Sequence, residues 1–384
     1  MTEKIYEHDS YCRSFSAIVE SCTEEKSFYK VALNKTAFFP EGGGQAADSG
    51  TINGKKVLDV QMQDGIVWHM LSDPIPVGTE ALCELDWDLR FSRMQSHTGE
   101  HIVSGVVYRL FGYQNVGFHM SEAIMTVDFD GALSQEQIEQ IELQATQAIF
   151  ENAPITVSYP AEEELKTLSF RSKTEHKDTR LVMIENVDCC ACCAPHVTRT
   201  GEVGMVKIIS FCPYKKGTRI ELLAGIHAYR DYMALHTHTK GMMGLLSASR
   251  YSVQEAVNKQ YELVQELRAE NQKLSRRLAM SEIQTVAVGE SVYAISEGFS
   301  HDDMRACSNS LLEQGVKICI LLSRAEGDGY LYVVSSATED IRPIVQQLNA
   351  NFSGKGGGRP NYAQGRLTAS SEELKNMVEQ ILQA

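Results

Sequence analysis

The stretch Asp188-Cys189-Cys190-Ala191-Cys192-Cys193-Ala194-Pro195-His196 decides how the rest of the chain is read. It sets four cysteines and a histidine almost side by side. Far upstream stands His97-Thr98-Gly99-Glu100-His101. Residues four apart on a helix share a face, so His97 and His101 project together. Cys192 and His196, at the same spacing, offer a second pair. The four make the mixed nitrogen and sulfur set that zinc, Zn(2+), prefers. Cys189, Cys190 and Cys193 remain rival ligands. The histidine pair is not a zincin motif, where glutamate directly follows the first histidine; here Glu100 directly precedes the second.

The chain has 384 residues, 43% hydrophobic and 22% charged, as in an ordinary globular protein of two or three domains. Its first residues, Met1-Thr2-Glu3-Lys4-Ile5, lack the apolar core of a signal peptide, and no apolar run approaches a membrane span. A cytoplasmic location without membrane contact is the resulting expectation. In a reducing compartment the ten cysteines serve as thiols or metal ligands more readily than as disulfides. Taken alone, a formal charge of −14 argues against nucleic acid as a partner, because phosphate contacts need Lys and Arg. Local basic patches nevertheless stand at Lys215-Lys216 with Arg219, and at Lys355, Arg359 and Arg366.

Read in order, the pattern predicts an α+β protein. Residues 1–90 form a β-rich part with strands around 15–22, 28–33, 56–62 and 65–71. Inside it lies Thr36-Ala37-Phe38-Phe39-Pro40-Glu41-Gly42-Gly43-Gly44-Gln45, whose glycines permit close backbone approach. Residues 91–225 form a zinc-binding α+β domain, with the histidine pair on a helix over 90–111 and a second helix from Ser134. Residues 226–283 form a helical hairpin or coiled-coil linker. A heptad frame fits Val257, Val264, Asn271 and Leu278 with Val253, Gln260, Leu267 and Leu274. Such a seam closes either within the chain or on a second copy. Residues 284–384 alternate strand and helix as a small α/β domain. Its Gly354-Lys355-Gly356-Gly357-Gly358-Arg359-Pro360 reads as a loop whose freed amides form an anion nest between two cations. It is not a Walker A loop.

Several of these motifs occur together in one known family. Thr36 to Gly50, His97-x-x-x-His101, Cys192-x-x-x-His196 and Thr200-Gly201-Glu202-Val203-Gly204 resemble the editing domain of alanyl-tRNA synthetase and its free-standing AlaX relatives, in the same order. The segment from Gly354 through Ala363 and Gly365 resembles the C-terminal domain of that synthetase. With editing motifs beginning inside the first fifty residues, no stretch is left for an aminoacylation core, as in a long-form AlaX. One departure stands out: the family usually has two glycines and a threonine where this chain has Cys193, Ala194 and Pro195.

The resemblance implies hydrolysis of the ester that joins serine or glycine wrongly to tRNA(Ala). A pocket built for alanine cannot strongly exclude glycine, and rejects an added hydroxyl only about a hundredfold. It implies a metal at His97, His101, Cys192 and His196, with Gln45, Gly43 and Gly44 as catalytic residues beside it. Thr36 is the candidate partner for a serine hydroxyl, against the plainer reading of a strand threonine. Four protein ligands close a tetrahedron, the usual form of a structural zinc. A zinc-stabilised tRNA-binding module without turnover is therefore the alternative. Lys355, Arg359 and Gly356, Gly357, Gly358 are the expected tRNA contacts. A homodimer through 226–283 and the C-terminal domain stays open.

Overall fold

Alternating apolar residues close the N-terminal strands into a barrel. In the strand Glu80–Leu85, Ala81, Cys83 and Leu85 are buried while Glu80, Leu82 and Glu84 face outward. The computed structural model describes residues 1–121, 123–172, 179–325, 327 and 329–383. Six strands complete the barrel in the order Ser14–Glu24, Tyr29–Leu33, Ile66–Leu71, Lys55–Gln63, Gly50–Ile52 and Glu80–Leu85. Val31, Leu33, Phe38, Ile52, Val57 and Leu71 fill it. Closure leaves no exposed edge to be paired. Alternation marked the strands in the sequence, but closure depends on pairings remote in the chain.

The chain divides into two compact units, Met1–Gly241 and Met242–Ala384. In the first, the helix Trp87–Phe111 follows the barrel. Asp86 caps it by accepting from the Leu89 amide at 3.2 Å, and Gly112 ends it in the left-handed region at φ 75°. Its middle, from Ser96 to Val107, is buried. It packs with the helix Gln135–Phe150, whose cap is Ser134, and with a four-stranded sheet. That sheet runs Val206–Tyr214, Gly217–Ala224, Met125–Phe129, Asn115–Met120. Its last two strands, Met125–Phe129 and Asn115–Met120, are joined as an antiparallel pair. A three-stranded sheet, Ile155–Ser158, Leu181–Ile184 and Asp188–Ala191, carries the start of the cysteine stretch.

The second unit contains the helix Val253–Glu282 and a six-stranded mixed sheet. Ile320 and Leu322 face the helices Arg342–Asn351 and Ser371–Gln383. Cys319 and Leu321 face the helix His301–Glu313 on the other side. Along Val253–Glu282 the heptad residues Val257, Val264, Leu267, Leu274 and Leu278 remain exposed.

The expected anion nest at 354–360 is absent. Lys355–Arg359 is instead the outer strand of the sheet, pairing antiparallel with Tyr362–Thr368. Gly356, Gly357 and Gly358 sit opposite Gly365, Gln364 and Ala363, and none has a positive φ. The glycines serve close approach: a Cβ on Gly356 would lie 2.2 Å from the Tyr332 hydroxyl and 2.5 Å from the Gly365 Cα. Backbone spent on a flat ladder cannot also curl into a nest. Lys355 and Arg359 stay exposed on this strand, with Arg366 directly opposite Lys355.

Candidate metal centre

The histidine pair stands where a helix buries its whole circumference. His97 and His101 are 3% and 2% exposed, with ring centroids 5.3 Å apart. His196 comes to them from beyond the cysteine strand, its centroid 4.9 Å from His97 and 4.6 Å from His101. Cys192 Sγ lies 3.6 Å from His97 Nε2 and 3.4 Å from His196 Nε2. One donor atom from each of the four residues falls within 4.8 Å of the others. The sequence-predicted ligands are thus brought to one place.

The far nitrogen of each histidine is held. His97 Nδ1 is 2.8 Å from Gln45 Oε1, His101 Nδ1 3.0 Å from Asp188 Oδ2, and His196 Nδ1 3.1 Å from Thr98 Oγ1. An amide oxygen and a carboxylate only accept, so Nδ1 carries the proton in the first two. Nε2 is left with a lone pair directed at the cluster, the arrangement that orients metal-bound histidines. The donor set therefore fits a divalent metal on its chemistry.

The electrostatics of Cys192 and His196 agree with that fit. Burial opposes ionisation of Cys192, yet His97, His196 and His101 around it hold the thiol well below its usual range. Burial also drives His196 down to about 3, keeping its ring neutral. Burial opposes charge on His101 too, but Asp188 and Cys192 outweigh it and raise its pKa. Asp188 is itself held down to about 2: burial raises it, and the two bonds from Arg171, at 2.7 Å each, and the bond from His101 overcome that.

The rival cysteines separate by position. Cys190 groups with His101 and Asp188, on the Asp188 side of that histidine. Burial pushes its thiol up to about 11, which makes it a poor thiolate donor. Cys189 and Cys193 have no place among the converging atoms.

Two glycines let the parts close. Gly105 sits against the Val187 carbonyl, where a Cβ would come within 2.4 Å, so Asp188 can approach the helix that bears His101. Gly44 has φ 85°, and a Cβ there would meet Phe118 at 2.8 Å. Its carbonyl accepts from the Met120 amide at 3.0 Å, and Gly42 and Gln45 bond to each other in a tight turn. That turn is clamped to the helix by Arg90. The arginine's Nε donates to Asp48 Oδ2 at 2.8 Å, Nη1 to the Ser10 carbonyl at 3.0 Å, and Nη2 to the Ala37 carbonyl.

Beside the cluster opens a cavity of about 700 Å³. Gly43, Glu100, Asn115 and Phe118 form part of its wall, with Arg171 and Arg180. Glu100 is 3% exposed; its Oε1 accepts from Asn115 Nδ2 at 2.7 Å and from Ser104, and its Oε2 is 4.0 Å from His101 Nε2. Gln45 is not a wall residue. It stands behind His97, bonded to the far nitrogen of that ring. Thr36 is not brought to the cavity either. Its hydroxyl is fully buried and lies 2.9 Å from His69 Nε2. Burial pushes the His69 pKa down to about 4, so that ring stays neutral.

The motif Thr200 to Gly204 is scaffold. Glu202 accepts from the Thr198 and Arg199 amides, and Thr200 Oγ1 donates to the Ala148 carbonyl at 2.7 Å, fixing the chain just after His196. Arg219 does not belong to an open basic patch, because Asp128 pairs with it at 2.6 and 2.8 Å. Asp188, Thr98, Glu100 and Arg180 received no role from sequence reasoning. The one available signal was that Thr98 and Glu100 fall between the two histidines.

The histidine clamps carry a measurable expectation. Asp188→Asn keeps the shape but weakens the acceptor of His101, and should lower metal affinity about 10- to 100-fold. Competition with a chromophoric chelator reads this directly. An unchanged affinity would remove Asp188 from the support of the site.

A family model for the second additional domain of threonyl and alanyl tRNA synthetases matches residues 179–221, and a DHHA1 domain model matches residues 286–384. The alanyl-tRNA editing protein AlaX-L of Pyrococcus horikoshii is 29% identical, covering 97% of this chain and 96% of its own length. The alanyl-tRNA editing protein Aarsd1 of Rattus norvegicus is 27% identical over 96% of this chain and 95% of its own. The alanine–tRNA ligase of Pyrococcus abyssi is 28% identical over 99% of this chain, which corresponds to 43% of that ligase. The two domain matches fall in sequence order, and relatives that are alanyl-tRNA editing proteins align along nearly the whole chain, so this protein is similar from end to end to proteins of that kind and carries a second-additional-domain match followed by a DHHA1 match.

Proposed function

We propose that this protein is an aminoacyl-tRNA deacylase that clears serine or glycine from mischarged tRNA(Ala), with zinc held by His97, His101, Cys192 and His196. One observation carries the reading: three histidine nitrogens and one low-pKa thiol converge on the edge of a cavity, each histidine held by a protein partner. A metal dication there would supply Lewis-acid chemistry to an ester carbonyl or to water. The protein supplies the rest. Gly43 leaves backbone uncovered at the wall. The Glu100 carboxylate puts negative charge beside the cluster, complementary to the α-ammonium group of an aminoacyl ester. Asn115 and Ser104 hold that carboxylate in place.

Lys355, Arg359 and Arg366, exposed along two neighbouring strands of the second unit, are proposed contacts for tRNA phosphates. The exposed heptad face of Val253–Glu282 offers a homodimer contact. No helix among the described residues is long and apolar enough to cross a membrane, and a cytoplasmic setting suits the proposed substrate.

A second reading draws on the closed set of four protein donors, typical of structural zinc: a tRNA-binding module without turnover. Incubation with tRNA(Ala) charged in turn with serine, glycine and alanine separates the two. The expected result is release of serine or glycine with alanine spared. Equal release of all three, or of none, would overturn the deacylase reading.

A further inference from the structure

We propose that Arg180 and Tyr159 form a subsite for the 3′-terminal nucleotide of an RNA, the guanidinium taking its phosphodiester and the ring stacking on its base. This rests on the reading of the cavity as the place where an aminoacyl ester is held.

Arg180 is 7% exposed on the cavity wall. Its Nη1 donates to the Cys192 and Ala194 carbonyls at 2.8 and 3.0 Å, and its buried Nε has no partner. Other cations of this wall are answered by acids: Arg171 by Asp188 and Lys4 by Glu7 at 3.3 Å. Among the described residues no carboxylate pairs with Arg180. A sequestered guanidinium with an unmade hydrogen bond and no counter-ion is costly. An anionic ligand that reaches the cavity accounts for keeping one there, and a phosphate matches the fork of an arginine.

Tyr159 lines the same cavity and is 47% exposed. It lies near enough to Arg180 to feel its charge. One side of its ring meets His8 at a centroid distance of 5.9 Å. An accessible aromatic ring beside an arginine is the usual platform for an unstacked base at a single-stranded end. Covalent chemistry sets the spacing on the ligand side. In a charged tRNA the reacting ester and the phosphate on the 5′ oxygen of the same nucleotide are one ribose apart. Arg180, bonded to the backbone of Cys192, stands next to the residue whose thiol enters the cluster.

The test uses the full-length protein with three probes: Ser-tRNA(Ala), 3′-O-seryladenosine, which lacks the phosphate, and the trinucleotide CCA. Arg180→Met should raise KM for Ser-tRNA(Ala) about tenfold with kcat held, and weaken CCA binding about tenfold. It should reduce the salt slope of CCA binding by about 0.7, and its KM penalty should vanish on seryladenosine. Tyr159→Ala should raise KM on both esters, because both carry the base, and Tyr159→Phe should recover it. Equal losses of kcat on both esters with loss of bound metal would reduce Arg180 to a brace for the Cys192 loop and overturn the subsite. So would unchanged KM and CCA affinity in Arg180→Met. If the wild-type protein leaves Ser-tRNA(Ala) intact while Arg180→Met still weakens CCA binding, the deacylase reading falls and the subsite stands.

Discussion

His101→Ala is expected to release the bound metal and to slow Ser-tRNA(Ala) hydrolysis about a thousandfold, about 4 kcal/mol of transition-state stabilisation. The far-UV circular dichroism spectrum should stay as it is. The size of the effect follows from position. His101 contributes one of the converging nitrogens and is the histidine tied to Asp188. The fold should survive because the carboxylate left behind is not stranded: Arg171 still holds Asp188 with two bonds of 2.7 Å. Elemental analysis of the purified variant and a deacylation time course, run together, give the answer. Hydrolysis at the wild-type rate without metal would reduce the ion to a packing element. Full retention of both would take His101 out of the ligand set.

The second large effect concerns stability. Arg90→Ala should cost about 3–5 kcal/mol in the unfolding transition of the N-terminal unit, because it strands Asp48 in the interior. The two side chains are 0% and 1% exposed, and Asp48 Oδ2 also accepts from the Phe39 amide at 2.7 Å. The arginine's other donors satisfy the carbonyls of Ser10 and Ala37, so its loss orphans backbone groups as well as a charge. Asp48→Ala should cost a similar amount, and the double variant clearly less than the sum of the two. Chemical denaturation followed by the N-terminal tryptophans, Trp68 and Trp87, measures all three. A loss below about 1 kcal/mol in Arg90→Ala would class the pair with surface ion pairs. The same variant should also loosen the turn that carries Gln45.

How much of this was legible in the sequence differs from residue to residue. His97 and His101 were readable because helical spacing alone puts them on one face, and Cys192 with His196 repeats that spacing. The choice of Cys192 over Cys190 was not readable, since it depends on which thiol is packed among imidazoles and which against Asp188. The partners of the Nδ1 atoms were out of reach for the same reason. Gln45 and Asp188 lie 52 and 87 positions from the histidines they hold, and spacing says nothing about such pairs. The glycines at 356–358 were read as freedom to curl because composition shows only that a side chain is missing. The packing of Tyr332 and Gly365 against them shows that the room is used for a flat ladder. Thr36 was picked for its place beside a motif, while the hydroxyl is spent on His69 inside the barrel.

Gln45 belongs to the barrel side of the first unit and His97 to the long helix, and the two meet in a bond of 2.8 Å. The affinity of the site for an ion would thereby depend on how faithfully two separately built pieces dock. Substitutions deep among the barrel strands, far from any ligand, should surface first as leakage of metal, before any melting is seen. Conversely, an ion held by His97 would fix the ring that bonds to Gln45, and protease resistance at the junction should rise and fall with its occupancy.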